Sequence, residues 1–457
     1  MTNIAHWPLR KAWTAGTIGL LLAALTILGT GGSAQAVPSY ARQTGFPCAQ
    51  CHTQLPELTP FGREFKLNGY VQGGGQGPAW APWFPPVAAM IQTGFTHTQA
   101  SMPGANQWFG PNDNFELDQM SLFYAGAIWS QQGIGAFIQG TYDGVAREFT
   151  WDNTDIRWAG QGSLFGSDLT FGATLNNNPT VQDPWNSTPA WGYPFFSSGI
   201  APSPVAASLI DGTYGQQVLG LGGYAWWNHM VYAEISGYRT LSMNTERTLG
   251  VPSAGTSSFS GIAPYWRLAI EPSWGNNSWE FGTFGMYASV NPQRITTNGT
   301  DNFTDIGLDS QYQFNGERDS VGVQATFIHE YADYHASSAL GFTSNTHDTL
   351  NTFRLKTSYF YEHTYGVNVS WFNISGTSDP TLYGTNNGSP NSDGWIFEVD
   401  YLPFSNGGPE FWPWLNFRIG LQYTLYNHFN GGTVNYDGMG SKASGNNTLY
   451  LYVLTAF

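Results

Sequence analysis

Two cysteines occur in the 457-residue chain, and both lie in Cys48-Ala49-Gln50-Cys51-His52. C-x-x-C-H is the attachment pattern of c-type haem. The spacing has a chemical reason. Two thiols add to the two vinyl groups of one haem, and the adjacent histidine lies under the iron as proximal ligand. The competing chemistry is a dithiol–disulfide pair, which belongs beside a βαβ unit, and none is legible here. The motif therefore predicts one covalently attached haem c, with Cys48, Cys51 and His52 binding the cofactor and His52 as metal ligand. No catalytic acid–base residues are expected. There is no P-loop, no further Cys/His cluster and no G-x-S-x-G elbow beside a triad, and the nine histidines are scattered.

The element that positions this motif is short. Thr59 is placed to cap a helix with Pro60 at its first position, and Asn68-Gly69 to end it. Leu58, Phe61 and Phe65 then share a face and cover the haem. Residues 53–89 contain neither Met nor His, so the usual downstream source of a sixth ligand is missing. The site is open, or the ligand comes from Met90, His97, Met102 or Met120. About 50 residues seldom stabilise a core alone. The haem segment is therefore expected to pack against, or inside, the C-terminal remainder of the chain.

Upstream, Arg10-Lys11, the apolar run from Trp13 to Leu28 and Ala34-Gln35-Ala36 read as a secretory signal with its cleavage site. The predicted organisation is a signal peptide over 1–36, a monohaem segment over 37–76, a Pro/Gly-rich linker over 77–86 and an outer-membrane β-barrel over 87–457.

From residue 87 the period is two. Trp395, Phe397, Val399 and Tyr401 alternate with Glu398 and Asp400, and Phe417, Ile419 and Leu421 with Arg418 and Gln422. Apolar-out, polar-in alternation is the signature of a transmembrane barrel. Sixteen strands are predicted: 87–100, 114–130, 134–146, 150–158, 165–176, 215–227, 229–241, 262–274, 278–290, 303–314, 319–335, 349–362, 365–376, 394–403, 413–428 and 446–456. With both termini periplasmic, every second connection should be a short turn. Those after strands 2, 6, 8, 10 and 12 are short and those after 5, 7, 13 and 15 long. The third, 147–149, breaks the rule and puts strands 3 and 4 in question. The fold class is an all-β, 16-stranded antiparallel transmembrane barrel with a short N-terminal helical haem segment as a plug. The longest connection, 177–214, is the third external loop. Its Asn, Asp and Trp residues are placed to line a pore or meet the plug.

Charged residues make up 10% of the chain and aromatics 16%. Only one apolar run near ~20 residues exists, at the N-terminus, which excludes a helical membrane bundle. Loss of Arg10 and Lys11 with the signal takes the net charge from -15 to -17, so a nucleic-acid partner has no electrostatic support. A surface this poor in charge is what outer-membrane lipid requires, and it also suits an acidic medium.

The run Pro38 to His52, the stretch Pro60 to Tyr70 and Asn178-Pro179-Thr180-Val181-Gln182-Asp183-Pro184-Trp185 resemble the fused monohaem cytochrome–porins of bacterial outer membranes, whose best-known members are iron oxidases. The terminal strand, ending in Phe457, resembles the signal read by the outer-membrane assembly machinery, with Thr455 a departure. The resemblance implies a plug-in-barrel arrangement and electron uptake from outside the cell. Extracellular Fe(II) would be the donor and a periplasmic cytochrome c or copper protein the acceptor, in an oxidoreductase of the ferrous iron–cytochrome c reductase type. Asp113, Glu116 and Asp118 cluster near the first external loop, and solvated loop carboxylates are their ordinary role. The alternatives are a haem-plugged porin for solute passage or redox sensing, and a conduit for a different donor or acceptor.

Overall fold

The computed structural model describes residues 37–72, 84–102, 106–253 and 255–457. The signal over 1–36 and most of the linker over 77–86 lie outside the described residues. Sixteen antiparallel strands form the wall: β1 Val87–Thr98, β2 Asn114–Trp129, β3 Ile134–Asp143, β4 Glu148–Leu164, β5 Ser167–Asn176, β6 Val218–Trp227, β7 Val231–Thr240, β8 Ala263–Ile270, β9 Asn277–Asn291, β10 Asp301–Asn315, β11 Asp319–Asp333, β12 His347–Tyr361, β13 Tyr365–Gly376, β14 Ser392–Tyr401, β15 Asn416–His428 and β16 Thr448–Ala456. Each pairs with the next. β16 then pairs with β1, from Thr448 opposite Thr98 to Ala456 opposite Met90, and closes the barrel. Short pieces at Ser258–Phe259 and Ser273–Trp274 flank β8 and pair with β9.

The alternation sorts the side chains as the sequence requires. Leu122, Leu221, Ile235, Leu308, Phe397 and Val399 face outward and are exposed, while Arg157, Arg267, Glu280, Asp309, Lys356 and Arg418 face inward and are buried. A closed wall pairs every strand with two neighbours, and an apolar exterior replaces water with lipid. The chain is an outer-membrane-type barrel with its short turns and both barrel termini at the periplasmic end. No helix among the described residues is long and apolar enough to cross a membrane.

All sixteen expected strands are present, including the questioned pair. β3 and β4 are in register from Ile134 opposite Trp158 to Asp143 opposite Glu148. Their connection, 144–147, is short because Asp143 folds it tightly: its Oδ1 accepts from the backbone N–H of Val145 and Ala146, both at 2.8 Å. An aspartate closing its own turn needs few residues. A second departure lies at the other end, where 402–415 is long among turns of a few residues.

Inside the wall lie two inserts. The first is residues 37–72, with helices α1 Pro38–Thr44, α2 Cys48–Cys51 and α3 Pro60–Leu67 and a ribbon pairing His52–Gln54 with Glu57–Leu58. Thr59 caps α3 by accepting from Gly62 N–H at 3.1 Å, and Gly69 ends the turn at φ 74°. The second is the 177–217 connection, whose residues from Asn177 to Thr188 are all buried.

Candidate functional site

The haem motif sits where the inserts meet. α2 is a single turn, and α3 crosses it so closely that a Cβ on Gly62 would stand 2.2 Å from the Cys51 carbonyl oxygen. α1 docks on β2 and β3: Ser39 Oγ donates to the Ala125 carbonyl at 2.8 Å and Tyr40 Oη to that of Ala136 at 3.2 Å. From below, the 402–415 connection closes on the motif, with Ala49 N–H donating to the Ser405 carbonyl at 3.3 Å and Trp412 packed against Ala41 and Cys48.

α3 is fastened to the wall and to the inserted loop by charge. Arg63 pairs with Glu271 and donates to Gln313 at 2.9 Å and Ser278 at 3.1 Å. Lys66 Nζ donates to the carbonyls of Val181 and Asp183, both at 2.8 Å, and to Asn186 Oδ1 at 3.0 Å. Lys356 of β12 pairs with Glu57, and Tyr70 Oη donates to Asp155 of β4 at 2.7 Å. The sequence reading did not single out Arg63 and Lys66, one helical turn apart; a paired cation set on a helix preceding a barrel is the signal that marks them.

Between these parts lies a cavity of about 300 Å³. This is the lower end of the ~300–1,000 Å³ range of ligand sites. Cys48, Cys51 and His52 line it together with apolar groups from the insert, from β1, β2, β3 and β16, and from Trp191, Phe195 and Phe196 of the loop. The thiols are unpaired. Burial pushes the Cys51 thiol up to about 12 and raises that of Cys48 as well, so both are protonated at neutral pH. Burial draws His52 down to about 4, which keeps its imidazole neutral. His52 Nδ1 donates to the Glu57 carbonyl at 3.2 Å. That fixes the ring and leaves Nε2 as the free lone pair, the arrangement metal-bound histidines adopt. The donor set and the apolar walls fit a covalent haem.

Of the sixth-ligand candidates, Met90 alone lines the cavity. His97 points outward near the external end and bonds Asp113 Oδ1 at 2.7 Å. Met120 is 40% exposed on the lipid face. Met102 sits in the connection after β1, its N–H on the Pro111 carbonyl. Leu58 and Phe65 line the cavity as expected, but Phe61 turns away and stacks edge-on against Phe46 at 5.3 Å. The carboxylates split: Asp113 is exposed, whereas Glu116 and Asp118 face inward.

The loop is anchored at Asp183. Its Oδ2 accepts from Ser187 N–H at 2.8 Å and Thr188 N–H at 3.1 Å. Its Oδ1 lies 3.0 Å from Arg267 Nε, an ion-pair contact rather than an aligned hydrogen bond. Arg267 of β8 also meets Asp309 at 2.8 Å and Glu280 at 3.2 Å. Burial alone would raise the Asp183 carboxyl, but Arg267 and then Lys66 hold it below the usual carboxylate value.

No family model matches the sequence, and no curated protein does. Among solved structures, the chain is similar to a Salmonella typhi OmpF in complex with daunomycin, at 11% identity over 81% of this chain and 97% of that one, with a TM-score of 0.45. It is similar to an anion-selective porin from Comamonas acidovorans at 11% identity over 81% and 98%, with a TM-score of 0.44. A loop-deleted OmpT of Vibrio cholerae gives 10% identity over 81% and 97%, with a TM-score of 0.41. The architecture stands on the chain's own strand pairing: this is a closed, sixteen-stranded outer-membrane barrel.

Proposed function

We propose that the chain is an outer-membrane electron conduit, in which a single haem c held by Cys48, Cys51 and His52 takes electrons from extracellular Fe(II) and passes them to a periplasmic cytochrome c or copper protein. The observation that carries this reading is the apolar cavity at the C-x-x-C-H turn, with His52 Nδ1 committed to a carbonyl. Bound there, haem c supplies a one-electron carrier. The thiols hold it by two covalent bonds, and His52 presents Nε2. Apolar rings exclude water. Residues 37–72 act as a plug, since their charges are spent on the barrel wall and on the loop. In this reading the protein is an oxidoreductase of the ferrous iron–cytochrome c reductase type. A fixed cofactor lets an electron cross while an insoluble ferric product stays outside.

The second reading is a porin for small solutes, gated or sensed by the plug. A sixteen-stranded barrel with a long inserted loop favours it, because that is how a solute channel is built. The deciding experiment is stopped-flow reduction of the haem-matured protein by Fe(II), recorded with its reduction potential and its bilayer conductance. Rapid reduction at a potential able to accept from Fe(II), without solute conductance, is expected. A low potential with no reduction removes iron as donor. Conductance that follows redox state selects the porin reading.

A further inference from the structure

The direction of the His52 ring depends on one contact, from Nδ1 to the Glu57 carbonyl at 3.2 Å. A carbonyl only accepts, so Nδ1 carries the proton and Nε2 the lone pair. Both partners belong to the short ribbon, whose register rests on two rungs, His52 opposite Leu58 and Gln54 opposite Glu57. An isolated ribbon of two such strands does not hold its shape in water. What holds this one comes from outside it.

The Glu57 side chain is the gathering point. Its Oε1 accepts from Gln54 Nε2 at 2.8 Å and its Oε2 from Thr53 Oγ1 at 3.3 Å, so one carboxylate ties the two ribbon strands together. Glu57 is 3% exposed, and a charge so buried needs a partner. Lys356 of β12 supplies it. Among the described residues, Glu57 is the one carboxylate that Lys356 bonds. The Lys356 ammonium also stands 5.0 Å from the Tyr193 ring, so wall, plug and inserted loop meet at a single side chain.

Other wall residues reach the ribbon at other points. Gln313 of β10 donates to Thr53 Oγ1 and to the Leu58 carbonyl, both at 3.2 Å, and Arg418 of β15 donates to the Leu55 carbonyl at 3.3 Å. Arg418 is otherwise committed to Glu398 and Asp400. Among the described residues, Lys356 is the wall side chain that bonds the residue whose carbonyl His52 uses.

We infer that Lys356 is a positioning residue for His52: by holding the Glu57 side chain it keeps the Glu57 carbonyl on Nδ1, and so fixes the tautomer and direction of the ring from the barrel wall. Partners of this kind orient a metal-binding histidine and raise its basicity. The inference deepens the haem reading proposed above and rests on it for the iron; the tie between wall and ring rests on the contacts alone.

The test uses the full-length chain in nanodiscs, once produced without haem and once haem-matured. In the haem-free chain, magnetic resonance of isotope-labelled histidine, with the His52 signal assigned by its loss in H52Q, should show the Nδ1–H tautomer with slow proton exchange. K356M and E57Q should each speed that exchange about five- to tenfold, the loss of one net hydrogen bond. E57Q/K356M should be no faster than the faster single variant, because both act through one tie. K356R, which keeps the cation, should retain the wild-type signal. Should the K356M barrel not assemble, as judged by heat-modifiable migration, E57Q carries the same expectation. In the haem-matured protein K356M should lower the equilibrium constant for haem reduction about tenfold, because the Glu57 carboxylate is left without its cation. Wild-type exchange in the variants that assemble overturns the inference. So does a double variant whose exchange multiplies the two single effects, and so does a changed reduction equilibrium with unchanged His52 exchange, which leaves Lys356 as a charge near the site. Faster exchange in the variants of a chain that attaches no haem defeats the haem reading and supports the tie.

Discussion

Replacing Arg267 by Met should release the inserted loop. Arg267 is fully buried in β8 and faces three carboxylates: Asp183 at 3.0 Å, Asp309 at 2.8 Å and Glu280 at 3.2 Å. Removing one side of a buried ion pair costs about 3–5 kcal/mol, because the other charge is left uncompensated. Asp309 and Glu280 belong to β10 and β9 and stay in the wall. Asp183 is on a connection and is the one that can leave. If most of the cost is relieved by its departure, the loop-out population rises on the order of 10²–10³-fold, at tenfold per 1.4 kcal/mol. Single-channel recording reads this as openings that wild type lacks, and limited proteolysis as new cleavage between residues 177 and 214. D183N, which keeps the shape and removes the charge, should shift both readouts in the same direction by less, since Oδ2 still receives the Ser187 and Thr188 N–H groups. An R267M barrel that folds, as judged by heat-modifiable migration, yet shows wild-type conductance and cleavage would refute the argument.

The other expectations each rest on single contacts. Asp183 is held below the ordinary value of 3.8, so the stability its ionised form contributes is complete above that value and is lost as pH falls below it. Wild-type conductance should therefore stay closed down to about pH 4 and rise below it, a transition D183N should lack. C48S/C51S should lose covalent haem absorbance while the barrel still assembles, because the wall does not need the thiols. G62A should lower haem content by pushing α3 off the Cys51 carbonyl, at a cost of about 1–3 kcal/mol, measured as the haem-to-protein absorbance ratio. M90A should change the haem spin state and potential, and M120A, on the lipid face, should change neither.

The wall was legible because its rule is local. Each strand repeats every two residues, and each of the sixteen runs carries that period by itself. The C-x-x-C-H motif was legible for the same reason, since five consecutive residues carry it; the haem it would attach belongs to the proposal above. What the sequence hid is what depends on the meeting of distant parts. Phe61 shares a helical face with Phe65, yet Phe46 claims it. Met90, His97 and Met120 are alike as nearby donors, but only side-chain direction along β1 and β2 separates them. The short 144–147 turn broke a parity rule because an Asp side chain replaced loop length. Arg267 reads as one polar residue in an alternating strand, and nothing local announces Asp183 as its partner from 84 residues upstream.

The cavity at the cysteine turn takes part of its wall from Ala89 and Met90 of the first strand and from Leu454 and Ala456 of the last. Those strands are the seam at which the cylinder shuts. The chamber therefore has no existence in a partly assembled chain; the two ends of the polypeptide must meet for it to be enclosed. A pigment attached at Cys48 and Cys51 while the seam is open would be bathed in water, and its colour and potential would change at the instant of closure. With haem c attached as proposed, its spectrum would report the final step of biogenesis, readable in cells without any added label.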